Sequence, residues 1–221
     1  MELRTRIALK ENFLIKTLVF CILLVVARFV KTGHMSFLFL FWNLFLAWLP
    51  FWFINKALAA KGIKSSLLAL LSLLFMPNAP YLITDLFHLK KELVAPLWFD
   101  VMLIVSFALL GLVFFLRSAG RLFTYIENIT GSRRYMTPIK LMVFLLNGYG
   151  IYLGRYLRFN SWDLVTHPLG LYRGMSDSLF CADQVKETLA ITFTFSVFLY
   201  LAYGIYESLK QGVNKNQHEV F

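Results

Sequence analysis

The third apolar stretch of the chain, residues 65–89, reads SSLLALLSLLFMPNAPYLITDLFHL. This stretch is longer than the ~20 mostly apolar residues that a helix needs to cross a bilayer. Two prolines interrupt the stretch: Pro77 removes a backbone donor and crowds the carbonyl four residues earlier, whereas Pro80 is tolerated in the first turn of a new half-helix. We therefore predict a membrane-spanning helix that is broken at Pro77 and Pro80, with Asn78 as the N-cap of a second half-helix.

The composition of the whole chain agrees with a membrane protein. The chain has 221 residues, of which 59% are hydrophobic and 15% are charged, against roughly 25% charged in a soluble domain. A soluble surface needs more polar groups than this, and a disordered chain would contain far less apolar material. The apolar runs do not alternate with polar residues as barrel strands do. These features predict an all-α fold, a polytopic membrane helix bundle.

Six stretches have the length and apolar character of spans, and they cover residues 13–30, 37–54, 65–88, 97–116, 138–157 and 188–206. The first resembles a signal peptide, but no small-x-small cleavage site follows it, so we expect an uncleaved anchor. The sequence contains no internal repeat and no low-complexity segment. We predict one transmembrane domain that comprises residues 1–221.

The basic residues predict an orientation. The formal net charge is +10; fourteen of the 22 Lys and Arg residues lie on the side that holds both termini, and eight lie on the other side. Basic residues are retained in the cytoplasm, so we expect cytoplasmic N- and C-termini. This charge suits acidic lipid headgroups, and we predict a lipid bilayer and no nucleic acid as partner. Residues 117–129 fit either an interfacial helix or a solvated extension of the fourth span.

Under this orientation the polar residues of the spans collect at the outer end of the bundle, where they predict one outward-facing pocket. The candidates for substrate binding are Asn43, Asn78, Tyr81, Arg155, Arg158, Asn160 and Trp162. The two arginines stand three residues apart, which favours a common helix face. They could reach lipid phosphate, neutralise a carboxylate or clamp an anionic substrate.

Four residues at the same end are candidates for catalysis: Asp85, His88, Asp100 and Asp163. Asp85 and His88 stand three residues apart, and a carboxylate and an imidazole at that spacing can share a metal or act as a base with its orienting partner. The same four residues and His167 are candidate ligands of a divalent metal, zinc or manganese. A plain hydrogen-bonded pair explains Asp85 and His88 equally well, since no recognised ligand spacing is present.

Three glycines give the fifth span a smooth side. Gly148, Gly150 and Gly154 include a Gly-x-x-x-Gly spacing, and small residues let helix backbones approach closely in lipid. Close packing within the chain and dimerisation are both compatible with this pattern.

Four short runs resemble the bacterial membrane-protein family known as domain of unknown function 1361: NAPY at 78–81, PLWFD at 96–100, YLGR at 152–155 and NSWD at 160–163. The resemblance spans about residues 35–170. It implies a bacterial cytoplasmic membrane protein of about this size, and it implies no activity.

Two functional hypotheses remain open. The first is a metal-assisted hydrolase or transferase acting on a lipid-linked or anionic small substrate, which the gathering of polar groups at one depth favours. The second is a transporter or binding protein for an ion or small solute, built around the broken span. A non-catalytic scaffold is the third possibility.

Overall fold

The computed structural model describes residues 2–90 and 95–218, with side chains at 12–87, 89, 95–181 and 183–212. Every regular element within these ranges is helical, which confirms the predicted all-α bundle. The α-helices are α1 (Glu2–Thr32), α2 (Phe39–Ala59), α3 (Gly62–Phe75), α4 (Asn78–Tyr81), α5 (Leu97–Thr130), α6 (Met136–Arg155), α7 (Asp163–Thr166), α8 (Pro168–Phe180) and α9 (Ala182–His218). A 3-10 segment, Leu82–Lys90, follows α4 directly.

The predicted break in the third span is confirmed. Helix α3 stops at Phe75, and the chain continues as the single turn of α4 and then as the 3-10 segment. Pro77 has no N–H to donate to the carbonyl of Leu73, which instead accepts the N–H of Met76 at 3.3 Å. The predicted N-cap role of Asn78 is wrong, because Pro77 occupies the cap position and no side chain caps α4.

Five helical stretches of the described chain are long and apolar enough to cross a membrane: Asn12–Thr32, Gly62–Phe87, Leu97–Thr130, Met136–Arg155 and Asp183–Gly212. The second predicted span, α2, has 21 residues but is not among them. Asn43, Asn55, Lys56 and three tryptophans place polar groups within this helix. Helix α2 nevertheless lies within the bundle, where it packs against α3 and α5.

Helix α5 shows that residues 117–129 continue the fourth span. It runs without interruption through 34 residues, or about 51 Å, whereas the hydrocarbon core is about 30 Å thick. The segment is therefore an extension of the fourth span, and the alternative of a separate interfacial helix is wrong.

The bundle has two distinct ends. At the first, Arg28 of α1 pairs with Asp100 near the start of α5, and Asp85 of the 3-10 segment contacts Asn43 of α2 and Arg155 of α6; we call it the Asp100 end. At the other, which we call the Arg121 end, α2 turns into α3, and Tyr125 of α5 lies 3.4 Å from Ser66 of α3. Large buried aromatic side chains, including Phe107, Phe115 and Phe144, fill the core between the two ends.

Glycines let the broken segment sit between two helices. A Cβ at Gly111 of α5 would overlap the backbone oxygen of Ala79 and lie 2.6 Å from the side chain of Leu82. A Cβ at Gly150 of α6 would lie 2.5 Å from the ring of Pro77. Gly148 faces α9 in the same manner, against the hydroxyl of Ser196. The glycines therefore serve close packing within the chain, as the first of the two interpretations predicts.

Replacing Gly111 by alanine tests this packing. We expect Gly111→Ala to destabilise the protein by about 1–3 kcal/mol, because the new methyl group meets backbone, which cannot swing away. The matched control is Gly120→Ala in the same helix, where a Cβ meets nothing closer than 3.7 Å. The control should be neutral or more stable, by up to about 1 kcal/mol. Unfolding of both variants in mixed micelles measures the difference, and equal stability of the two would contradict the packing.

Candidate functional site

Two separate parts of the sequence meet at the break in the third span. The side-chain amide of Asn78 donates to the carbonyl of Phe75 at 2.9 Å and to the hydroxyl of Ser161 at 3.0 Å. The hydroxyl of Ser161 in turn donates to the carbonyl of Leu74 at 3.1 Å. In a continuous helix these two carbonyls would accept backbone N–H groups one turn later. Asn78 and Ser161 therefore supply the hydrogen bonds that the break removes from α3.

A cavity of about 460 Å³ lies beside this junction. Its walls come from α2, α3, α4, α6 and α8 and from the segment that follows α6. The apolar wall consists of Leu46, Leu70, Leu73, Leu74, Leu146, Leu153, Phe159, Leu164, Leu171 and Met175. Near the break the lining becomes polar and aromatic, with Trp42, Asn43, Asn78, Tyr81, Tyr149, Asn160, Ser161 and Trp162. The cavity thus has a largely apolar lining that also includes amide and hydroxyl groups, and those of Asn78 and Ser161 lie at the break.

The cavity arises between two helices that have different packing partners. Helix α3 packs mainly against α2, whereas α6 packs mainly against α9. Leu70 on α3 is 62% exposed and Leu146 on α6 is 47% exposed, although both line the cavity. Exposed leucines on membrane-spanning helices face hydrocarbon. The cavity therefore opens sideways, between α3 and α6, toward the lipid.

Five of the seven predicted substrate-binding residues line this one cavity: Asn43, Asn78, Tyr81, Asn160 and Trp162. Ser161 and Tyr149 also line it and were missed by sequence reasoning. Ser161 stands inside the NSWD run, so its position between two candidates could have indicated it. The hydroxyl of Tyr149 lies 2.9 Å from that of Ser178 on α8, a partner that the local sequence does not suggest.

The two arginines of the predicted clamp do not line the cavity. Helix α6 ends at Arg155, and Arg158 has a φ of 60°, in the left-handed region, so the chain has already turned. The prediction that both point from one helix face is wrong for this reason. Arg155 instead lies 3.8 Å from the carboxylate of Asp85 and near the rings of Tyr81 and Phe87.

Asp85 is buried behind the cavity wall. Its carboxylate accepts a hydrogen bond of 3.1 Å from the amide of Asn43, and Asn43 itself lines the cavity. Asn43 and Arg155 thus hold Asp85 from α2 and α6. The side chain of His88, its predicted partner, lies outside the described residues.

Asp100 forms an ion pair that sequence reasoning missed. Arg28 of α1 donates to the two carboxylate oxygens of Asp100 at 2.8 and 3.3 Å. The guanidinium also lies 4.2 Å from the ring centre of Phe37, and only 2% of the Arg28 surface is exposed. An arginine inside an apolar run was the available signal, since ionised groups in spans are paired or functional. The pair fixes α1 to α5 at the Asp100 end.

Asp163 stabilises the turn that leads into α7. The backbone N–H of Asn160 donates to its carboxylate at 2.7 Å and lowers the pKa of Asp163 below its usual value. The hydroxyl of Thr166 donates to the other oxygen at 3.0 Å. The imidazole of His167 lies 3.6 Å away, as the spacing of four residues predicts. Asp163 therefore has local partners that account for its position.

Four of the five predicted metal ligands have side chains that the structure describes. Among the side chains that the structure describes, no three His, Cys, Asp or Glu residues come together in a way that could hold a metal ion. Asp100 binds Arg28, Asp85 binds Asn43, and Asp163 and His167 share the turn before α7. The described side chains therefore supply no group of three ligands, and the zinc or manganese site stays a prediction because the side chain of His88 lies outside them.

Comparisons with known proteins give one finding. A family model described as "Protein of unknown function (DUF1361)" matches residues 42–202. No curated protein and no solved structure matches the chain.

The ion pair of Arg28 and Asp100 gives a second prediction. We expect Asp100→Asn to destabilise the protein by about 3–5 kcal/mol, because it leaves a buried guanidinium without its counter-charge. The double variant Arg28→Met with Asp100→Leu should recover most of that loss, since neither charge then remains buried. Asp177→Asn, at an exposed position, serves as the control and should change stability by less than about 0.5 kcal/mol.

Unfolding in mixed micelles compares all three variants with the wild type. A single Asp100→Asn variant as stable as the control would show that the pair does not hold α1 to α5.

Proposed function

The chain belongs to the DUF1361 family of proteins of unknown function, and we propose that it binds an amphipathic molecule in the cavity beside the break of its third span. The observation that carries this proposal is the division of the cavity wall. Leucines line much of it, and the amides and hydroxyls of Asn43, Asn78, Asn160 and Ser161 line the rest; we call the part beside the break its polar end. Ligand sites are typically apolar with a few placed polar groups that fix orientation.

The lateral opening supports an apolar tail on the ligand. A molecule dissolved in the bilayer can enter between α3 and α6 without crossing water, past the exposed side chains of Leu70 and Leu146. The cavity volume lies within the usual range of small-molecule sites, about 300–1,000 Å³. A chain of methylene groups gains contact with the leucines, and this contact replaces contact with lipid.

The polar end supports a neutral, hydrogen-bonding head. Its lining consists of amides, hydroxyls and aromatic rings, and neither Arg155 nor Arg158 is part of it. Hydroxyl or amide groups of a ligand match such a lining, and the rings of Tyr81 and Trp162 offer flat apolar surfaces to a sugar. We therefore propose a lipid whose head carries hydroxyl or amide groups, such as a glycolipid. The predicted anionic substrate fits this lining less well.

The proposed location is the bacterial cytoplasmic membrane. We propose that α2 completes six passes, with both termini in the cytoplasm and the Asp100 end outside, which agrees with the excess of basic residues on the side of the termini. The cavity then belongs to the outer half of the bilayer, where it can receive amphiphiles from the outer leaflet.

A hydrolase or transferase acting on the same amphiphile is the second candidate. The observation in its favour is Asp85, whose carboxylate is held by Asn43 directly behind the cavity wall. A carboxylate there could serve as a general base if the wall opened to admit the head of the ligand. The two candidates differ in one measurable respect. An enzyme would cleave the headgroup from the ligand, whereas a binding protein would leave the ligand intact.

A photoreactive ligand tests the proposal. The probe is a dodecyl glucoside with a diazirine in its alkyl chain, added to the protein in nanodiscs and activated by light. We expect the label on cavity residues such as Leu146 and Leu153. Leu73→Trp should reduce labelling, because the indole occupies space beside the break that the ligand would need. The matched control Leu67→Trp changes an exposed leucine of the same helix that does not line the cavity, and it should leave labelling unchanged.

Labelling spread evenly over the exposed faces, or undiminished in Leu73→Trp, would refute the cavity as a binding site. Mass spectrometry of unreacted probe separates the two candidates. An intact glucoside supports a binding protein, and a cleaved head supports the enzyme.

A further inference from the structure

A second groove lies on a different face of α2 from the cavity. It runs between α1, α2 and α5 and has a volume of about 700 Å³. Its walls are Leu14, Ile15, Leu18, Phe41, Leu44, Phe45, Trp48, Phe51, Leu110 and Phe114, and two arginines, Arg117 and Arg121, complete it. All the neutral lining residues are apolar, and the lining contains no carboxylate.

The depth of the two arginines follows from the length of α5. Arg117 lies 17 residues after Asp100 along this uninterrupted helix, or about 25 Å, and Arg121 lies about 31 Å from it. The hydrocarbon core is about 30 Å thick, so a helix whose Asp100 lies at one boundary brings both arginines to the other. Their spacing of four residues places both on one face of α5. The guanidinium of Arg121 lies 4.9 Å from the ring centre of Phe51, which also lines the groove.

We propose that this groove binds a phospholipid with an anionic headgroup. The acyl chain lies along Leu18, Phe45 and Trp48, and the phosphate lies between Arg117 and Arg121. Charge complementarity carries this assignment, because the groove joins a purely apolar wall to two cationic side chains at the depth of lipid phosphate. The arginine fork binds phosphate oxygens through charge-assisted hydrogen bonds. The site is separate from the cavity of the proposed function and does not depend on it.

Exposed side chains of α1 leave room for a lipid in the groove. Helix α1 packs against α5, and the ion pair of Arg28 and Asp100 holds it at the Asp100 end. Toward the other end the side chains of Ile15 and Leu18 are exposed to the groove instead of being covered by α2. A bound acyl chain fills this space between α1 and α2.

Native mass spectrometry of the full chain, with phosphatidylglycerol or phosphatidylcholine added to detergent, tests the site. We expect one phosphatidylglycerol to remain bound and phosphatidylcholine to bind at least tenfold more weakly. Arg117→Gln with Arg121→Gln should weaken phosphatidylglycerol binding about thirty-fold, since each basic side chain near an anionic headgroup strengthens binding about fivefold. The control, Lys61→Gln with Lys64→Gln, removes two exposed charges at the same end and should leave binding unchanged.

A second pair of variants tests the groove with both arginines in place. Leu18→Trp narrows the groove where the acyl chain would lie and should weaken retention of the lipid, whereas Leu23→Trp changes an exposed residue of α1 that does not line it. Equal retention of the two lipids by the wild type would overturn the proposal, and so would unchanged phosphatidylglycerol binding in the arginine or Leu18 variant. If the control lysines weaken binding as much as the arginines, the attraction comes from the surface in general and the groove is not a site.

Discussion

Two backbone carbonyls, those of Leu74 and Phe75, set the main constraint on this fold. The break after α3 deprives them of their helical partners, and an unsatisfied carbonyl in hydrocarbon costs several kcal/mol. Asn78 satisfies one directly, and Ser161 satisfies the other while accepting a bond from Asn78. Because Asn78 and Ser161 stand 83 positions apart, the break ties the third span to the segment that follows α6.

The cavity follows from this arrangement. The turn of α4 fits between α5 and α6 because Gly111 and Gly150 have no side chains to exclude it. On the Arg121 side of the break, α3 stays with α2 while α6 stays with α9, and the space between α3 and α6 is left open. The same residues that satisfy the break also form the polar end of the cavity. Asn78 and Ser161 therefore have two roles in this account. They hold α3 and α4 in place, and the headgroup of a ligand would bind against them.

The sequence predicts well at which level of the bundle a residue lies, but it predicts poorly which side chains bind each other. The prolines at 77 and 80 predict the break, and the polar residues near the span ends predict a common level, because both depend only on position along a helix. Partners depend on how helices are turned about their axes, which one sequence does not reveal. Thus the sequence places Arg28 inside an apolar run, but it does not show that Asp100 is its partner. The predicted common helix face of Arg155 and Arg158 is wrong because α6 ends at Arg155.

The coupling between Asn78 and Ser161 tests the central claim most directly. In a double-mutant cycle, Asn78→Ala, Ser161→Ala and the double variant are unfolded in mixed micelles, and the free energies of unfolding are compared with that of the wild type. The account predicts a coupling energy of about 1 kcal/mol, within the range measured for side-chain hydrogen bonds in membrane proteins. Additive effects, with a coupling energy of zero within error, would contradict it and would separate the break from the segment that follows α6.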